Sequence, residues 1–185
     1  MQDDFIESGR RRIEVLQNSG KPSIILHGHK HFVNFKLANS GANAPWILSS
    51  SSLGAKPYDG FEENYSCQFH VVDISNSSTN KYSLRGRIWS WDWIISGWEP
   101  ARSNGLTAQT GFSNSTDLSA LAEKIHALVK YGGAISGRKA KDSVPELDFL
   151  TAERLSELKM ILRKDYQVES ASEGGNTKLS FWKEE

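Results

Sequence analysis

Between residues 23 and 100 one short apolar segment follows another, each separated by polar turns, and this pattern restricts the fold more than any other feature. "SIIL" is a continuous apolar run, as expected of a strand buried on both faces. "HFVNFKLAN" alternates Phe32, Asn34 and Lys36 with Val33, Phe35 and Leu37, as in a strand with one face in water. "APWILSSSS" reads as a third strand and runs into a small-residue loop, "SSSSLGAKPYDGFEENY". "SCQFHVVDIS" and "KYSLRGRIWSWDWII" read as two more, joined by the turn-rich "NSSTN". Such a succession implies an antiparallel or mixed sheet. A helix over residues 4–18 precedes it, with Ile6, Ile13 and Leu16 near one face and Gly20 as its stop.

After residue 100 the texture changes. "ARSNGLTAQTGFSNSTD" is polar and reads as a linker. "STDLSALAEKIHALVKYGG" follows as an amphipathic helix, with Ser115 or Thr116 as cap and Leu118, Leu121, Ile125 and Leu128 as its stripe. "ISGRKAKDSVPE" reads as a second polar linker. In the tail, Thr151 caps a helix with the stripe Leu155, Leu158, Ile161 and Leu162, and "QVESAS" and "KLSFW" flank the turn "EGGNT". The fold class expected is α/β: a mixed, largely antiparallel sheet flanked by helices, plus a small α-β-β unit. The expected divisions are 1–102, a linker with an amphipathic helix at 103–142, and the unit at 143–185, which is too small to hold a core alone and must pack on something.

Composition narrows the function classes. The 185 residues carry 22 basic and 22 acidic side chains, for a formal net charge of zero. That speaks against an electrostatic nucleic-acid binder. No apolar run approaches the roughly 20 residues that cross a bilayer, so no membrane partner is expected. The first residues, "MQDDFIESGRRRIEV", lack the apolar centre of a secretory signal. One cysteine, Cys67, excludes an intrachain disulfide framework, and a reducing, cytoplasmic setting is the default expectation.

Of the five histidines, three stand in "IILHGHKHF": His27, His29 and His31. On a regular strand they would share a face. Neutral imidazole is a common ligand of zinc, iron and manganese, and loops at the ends of buried strands carry function disproportionately. Gly28 would permit a backbone turn that a side chain hinders. A lone histidine on an apolar strand is ordinarily structural, but three in five positions favour metal binding.

"ILHGHKH" resembles the final Gly-His-x-His motif of the calcineurin-like metallophosphoesterases. "GRRRIEVLQN" stands where a helix precedes the family's strand. "WILSSSSLG" resembles its strand ending in a small-residue turn, and "YSCQFHVVDI", "YSLRGRIWSWD" and "GWEP" resemble its closing antiparallel strands. The likeness covers roughly residues 5–100. It implies a partial metallophosphoesterase-like sandwich. Two divalent ions (Mn, Fe or Zn) would lie side by side, one bound by His29 and the other by His31, with His27 behind the ligands or in the pocket wall. Such a pair of ions polarises a phosphoryl group and supplies a hydroxide.

The rest of the family's ligand set is missing from this sequence. There is no Asp-x-His, no Gly-Asp-x-x-Asp and no Asn-His; "YDGF" reverses the dipeptide, and His70 and His126 are the only other histidines. The chain is therefore expected to hold divalent ions weakly, and to need self-association or a partner carrying the missing motifs. The alternative is a non-catalytic interaction module with an incidental histidine cluster. Trp89, Trp91 and Trp93 share one strand face, and packing against a helix is favoured over base stacking because the net charge is zero.

Overall fold

The computed structural model describes residues 7–21, 23–28, 33–38, 44–50, 67–76, 84–102, 105–114, 116–173 and 178–183. The chain divides into two compact units. The first comprises residues 1–84 and 88–108, and the second comprises 85–87 and 109–185. It is a mixed α/β protein, as expected. No helix among the described residues is long and apolar enough to cross a membrane.

Unit 1 opens with α1 (Glu7–Asn18). Its Ile13 is buried, and Gly20, just past its end, sits at φ +66°, the left-handed conformation that lets the last carbonyls be capped. The expected start at residue 4, and Ile6, lie outside the described residues. Three four-residue strands follow: β1 (Ile24–His27), β2 (Asn34–Leu37) and β3 (Trp46–Ser49), in the order β1-β3-β2. β1 runs parallel to β3, with Ile24 opposite Trp46 and His27 opposite Ser49. β2 runs antiparallel to β3. The central strand β3 is buried along its whole length, and Trp46 stacks on Phe35 at 4.6 Å.

"SIIL" differs from expectation here. Among the described strands β1 has one neighbour, β3, and Leu26 is 62% exposed. An apolar run is buried on both faces only when strands flank it and layers cover it. β3, not β1, has that position. Around β2 the expected alternation shows only in part: Val33, just before it, is buried and Lys36 is exposed, while Asn34, Phe35 and Leu37 are all half-buried.

The second sheet of unit 1 is β4 (Gln68–Asn76), β5 (Leu84–Ile94) and β6 (Gly97–Pro100), in that order. In β5 every second residue from Leu84 to Asp92 is buried. β5 and β6 form a hairpin with Trp93 opposite Trp98. The other face holds Phe69, Trp91 and Trp98, with Phe69 5.3 Å from Trp91 and 5.8 Å from Trp98, and Trp93 lies 5.3 Å from Trp98, so Trp91 and Trp93 pack within their own sheet. Phe69, Trp93 and Trp98 each remain about half exposed.

Unit 2 corrects both linker readings. β7 (Gln109–Ser113) lies inside the first supposed linker and pairs with β5, whose Arg85–Arg87 stretch belongs to this unit. Phe112 is fully buried. Gly111 lies so close to the backbone of Asp148–Leu150 that a Cβ would collide with it. The second supposed linker forms β8 (Ala134–Ser136), α3 (Gly137–Ser143) and a 3-10 helix (Pro145–Phe149), capped by Ser136 and anchored by Ala140, Val144 and Leu147. Around them lie α2 (Leu118–Gly132), α4 (Ala152–Tyr166), β9 (Val168–Glu173) and β10 (Lys178–Lys183). The sheet order is β8-β10-β9, all antiparallel. Asp117, not Ser115 or Thr116, caps α2 by accepting from Ser119 N and Ala120 N. Thr151 caps α4 as expected. α2 therefore belongs with the tail, and their stripes interlock with α3 in one core.

Candidate functional site

The site is built at one end of a parallel strand pair. β1 and β3 point the same way, so His27, the last residue of β1, stands beside Ser49 and Ser50 at the end of β3. Ser50 N–H donates to His27 O at 2.9 Å, which ties the two exits together. Ligands in α/β sheets gather at the carboxyl ends of parallel strands, where side chains and backbone converge without being consumed by the ladder. Here those ends face a cavity of about 300 Å³, lined among the described residues by Leu26, His27, Leu48, Ser50, Gln68, Phe69, His70 and Val72.

The cavity brings together two histidines that are far apart in sequence. His27 arrives on β1 and His70 on β4. The sequence reading gave His70 no role. The only signal for it was the period-two pattern of β4, which puts Gln68, His70 and Val72 on one face.

Behind the cavity lies a polar network. Gln68 Nε2 donates to Asp92 Oδ1 at 2.8 Å and to Leu106 O at 3.0 Å, and Gln68 Oε1 accepts from Leu106 N at 3.1 Å. Asp92 Oδ2 accepts from Arg102 N at 2.7 Å. His70 Nδ1 and Ser90 Oγ share a hydrogen bond at 2.9 Å. Burial pushes the His70 imidazole below its ordinary value, and the Asp92 charge opposes this only in part. His70 is thus held neutral near pH 7. Its Nε2 is sealed from solvent and meets no hydrogen-bond partner among the described residues. The network fixes the segment around Arg102 and Leu106 against the sheet and leaves Asp92 fully committed.

His29 and His31, the expected metal ligands, lie outside the described residues. Gly28 is described, and its backbone is not in the left-handed region; a Cβ there would make ordinary contact with Ser50 Oγ at 3.6 Å. Gly28 is therefore not required by a left-handed backbone. His126 lies on α2, 4.9 Å from Tyr166, away from any such cluster in its own unit.

A dinuclear centre needs carboxylate and imidazole donors around both ions. Among the described residues no three His, Cys, Asp or Glu side chains converge. The described residues do not fit such a centre by themselves. No protein-family profile, no curated protein and no solved structure matches the chain.

Proposed function

We propose that unit 1 is the C-terminal segment of a calcineurin-like metallophosphoesterase domain. In this reading His29 and His31 supply half of a dinuclear ligand set, and carboxylates from elsewhere complete it. The observation that carries the reading is positional. His27 and Gly28 stand where β1 ends next to the carboxyl end of β3, beside a cavity, and antiparallel pairing follows in β2–β3 and β5–β6. Alone, the chain should be inactive.

The test is hydrolysis of bis(p-nitrophenyl) phosphate with manganese, by the chain alone and after co-expression with a protein carrying Asp-x-His and Gly-Asp-x-x-Asp motifs encoded next to it. Turnover in the pair that disappears in His31→Ala supports the reading. Turnover that survives His29→Ala and His31→Ala contradicts it.

A second reading rests on the half-exposed Phe69, Trp93 and Trp98 and the exposed Ile94 and Ile95. Apolar patches of this kind mark interaction surfaces. On it, unit 1 is a non-catalytic module and the histidines are incidental. Binding that depends on Trp98 but not on His31 would favour it.

A further inference from the structure

The cavity at the end of β1 has a chemistry of its own, separate from any metal ligation by His29 and His31. No lysine, arginine, aspartate or glutamate lines it among the described residues. Of its four polar side chains among the described residues, Gln68 and His70 are engaged within the fold. Gln68 is saturated by Asp92 and Leu106, and His70 is bonded through Nδ1 with Nε2 closed off. His27 and Ser50 stand at the strand ends, and the remaining walls, Leu26, Leu48, Phe69 and Val72, are apolar. A charged ligand entering such a space would lose its hydration and meet no lysine, arginine, aspartate or glutamate among the described residues. An apolar ring loses nothing of the kind. A volume of about 300 Å³ lies at the small end of ligand cavities and suits one or two fused rings.

We propose that this cavity binds a small, uncharged, planar group of the aryl or indole kind, and not a phosphate. Identifying that group as the organic part of a phosphate ester rests on the metallophosphoesterase reading. The binding itself does not.

The experiment titrates the full 15N-labelled chain separately with indole, phenol, phenyl phosphate and inorganic phosphate, following the amides of Leu48, Phe69 and Val72. Indole should give saturable shifts with a dissociation constant on the order of 1 mM, as befits so few heavy atoms. Inorganic phosphate should give none. Leu26→Trp, at the exposed rim, should weaken indole at least tenfold, whereas Val71→Ser, exposed on β4 but not lining the cavity, should leave it unchanged. Val72→Phe, which fills the interior, serves as a second blocking variant. Saturable phosphate shifts without indole shifts would overturn the proposal. So would indole binding that ignores Leu26→Trp and Val72→Phe, or shifts confined to the indole N–H groups of Trp93 and Trp98. Phenyl phosphate binding no tighter than phenol would uphold the cavity and count against the ester reading.

Discussion

The two units spend their apolar residues differently. Unit 2 draws fifteen buried apolar side chains, from Leu118 to Phe181, into one cluster contributed by three helices, the 3-10 turn and all three strands of its sheet. Of the ten large hydrophobic side chains that stand exposed among the described residues, nine lie in unit 1 and only Met160 lies in unit 2. Unit 1 buries β3 completely yet leaves Leu26, Phe69, Val71, Trp93 and Ile95 in the open. Unit 2 has what an independently folding domain needs: capped helices, a closed core and short connections. Unit 1 has ordered strands whose outer faces and one edge still offer surface for burial. On this contrast stability is expected to rest chiefly on unit 2, and any association on unit 1.

Mutations should separate the two. The largest effect is expected from Phe181→Ala, which empties a fully buried site in unit 2 and should cost about 3–5 kcal/mol, read by urea denaturation. Gly111→Ala comes next. Its Cβ would strike the backbone of Asp148–Leu150, which cannot step aside as a side chain can, and overpacking of this kind costs about 1–3 kcal/mol or more. Asp117→Ala removes the acceptor for two N–H groups at the start of α2 and should cost about 1 kcal/mol. In unit 1, Trp98→Ser should change stability by less than any of these, yet light scattering over a dilution series should show weaker self-association than in the parent chain. A parent chain that stays monomeric at every concentration would break the comparison.

Acid should also tell the units apart. His70 in unit 1 has a folded-state pKa below its ordinary 6.5. Between the two values the unfolded chain binds the proton and the folded chain does not, so stability falls as pH drops below about 6.5. Glu146 in unit 2 is shifted down from 4.5, chiefly by its hydrogen bond from Lys124 at 2.7 Å. Its contribution is present above pH 4.5 and is lost only as pH falls further. Near-ultraviolet dichroism, dominated by the tryptophans of unit 1, should therefore fade at a higher pH than the helical far-ultraviolet signal. Coincident loss of the two signals, or an unchanged onset in His70→Gln, would contradict this.

What could be read in advance follows from the range of the forces. α4 and its Thr151 cap, Gly20 after α1 and the partial alternation around β2 are local, and each is visible within a few residues. β7 was hidden because only Phe112 marks it in a polar stretch, and its burial depends on the Asp148–Leu150 backbone almost forty positions away. β8 has three residues, too few to show a period. α3 looked like a charged linker because only Ala140 and Val144 anchor it. The exposure of Leu26 depends on sheet order, which no window contains. The histidine cluster was legible as a cluster, whereas the meeting of His27 with His70 across one cavity was not, because it needs the parallel pairing of β1 with β3 and the seating of β4.

The central claim is that this chain carries only the histidine half of a two-ion site. Calorimetric titration of the intact chain with manganese or zinc tests it most directly. The account predicts at most one weakly held ion per chain, lost in His31→Ala and fading below about pH 6 as the imidazoles protonate. Two ions bound tightly and stoichiometrically by the monomer would contradict it.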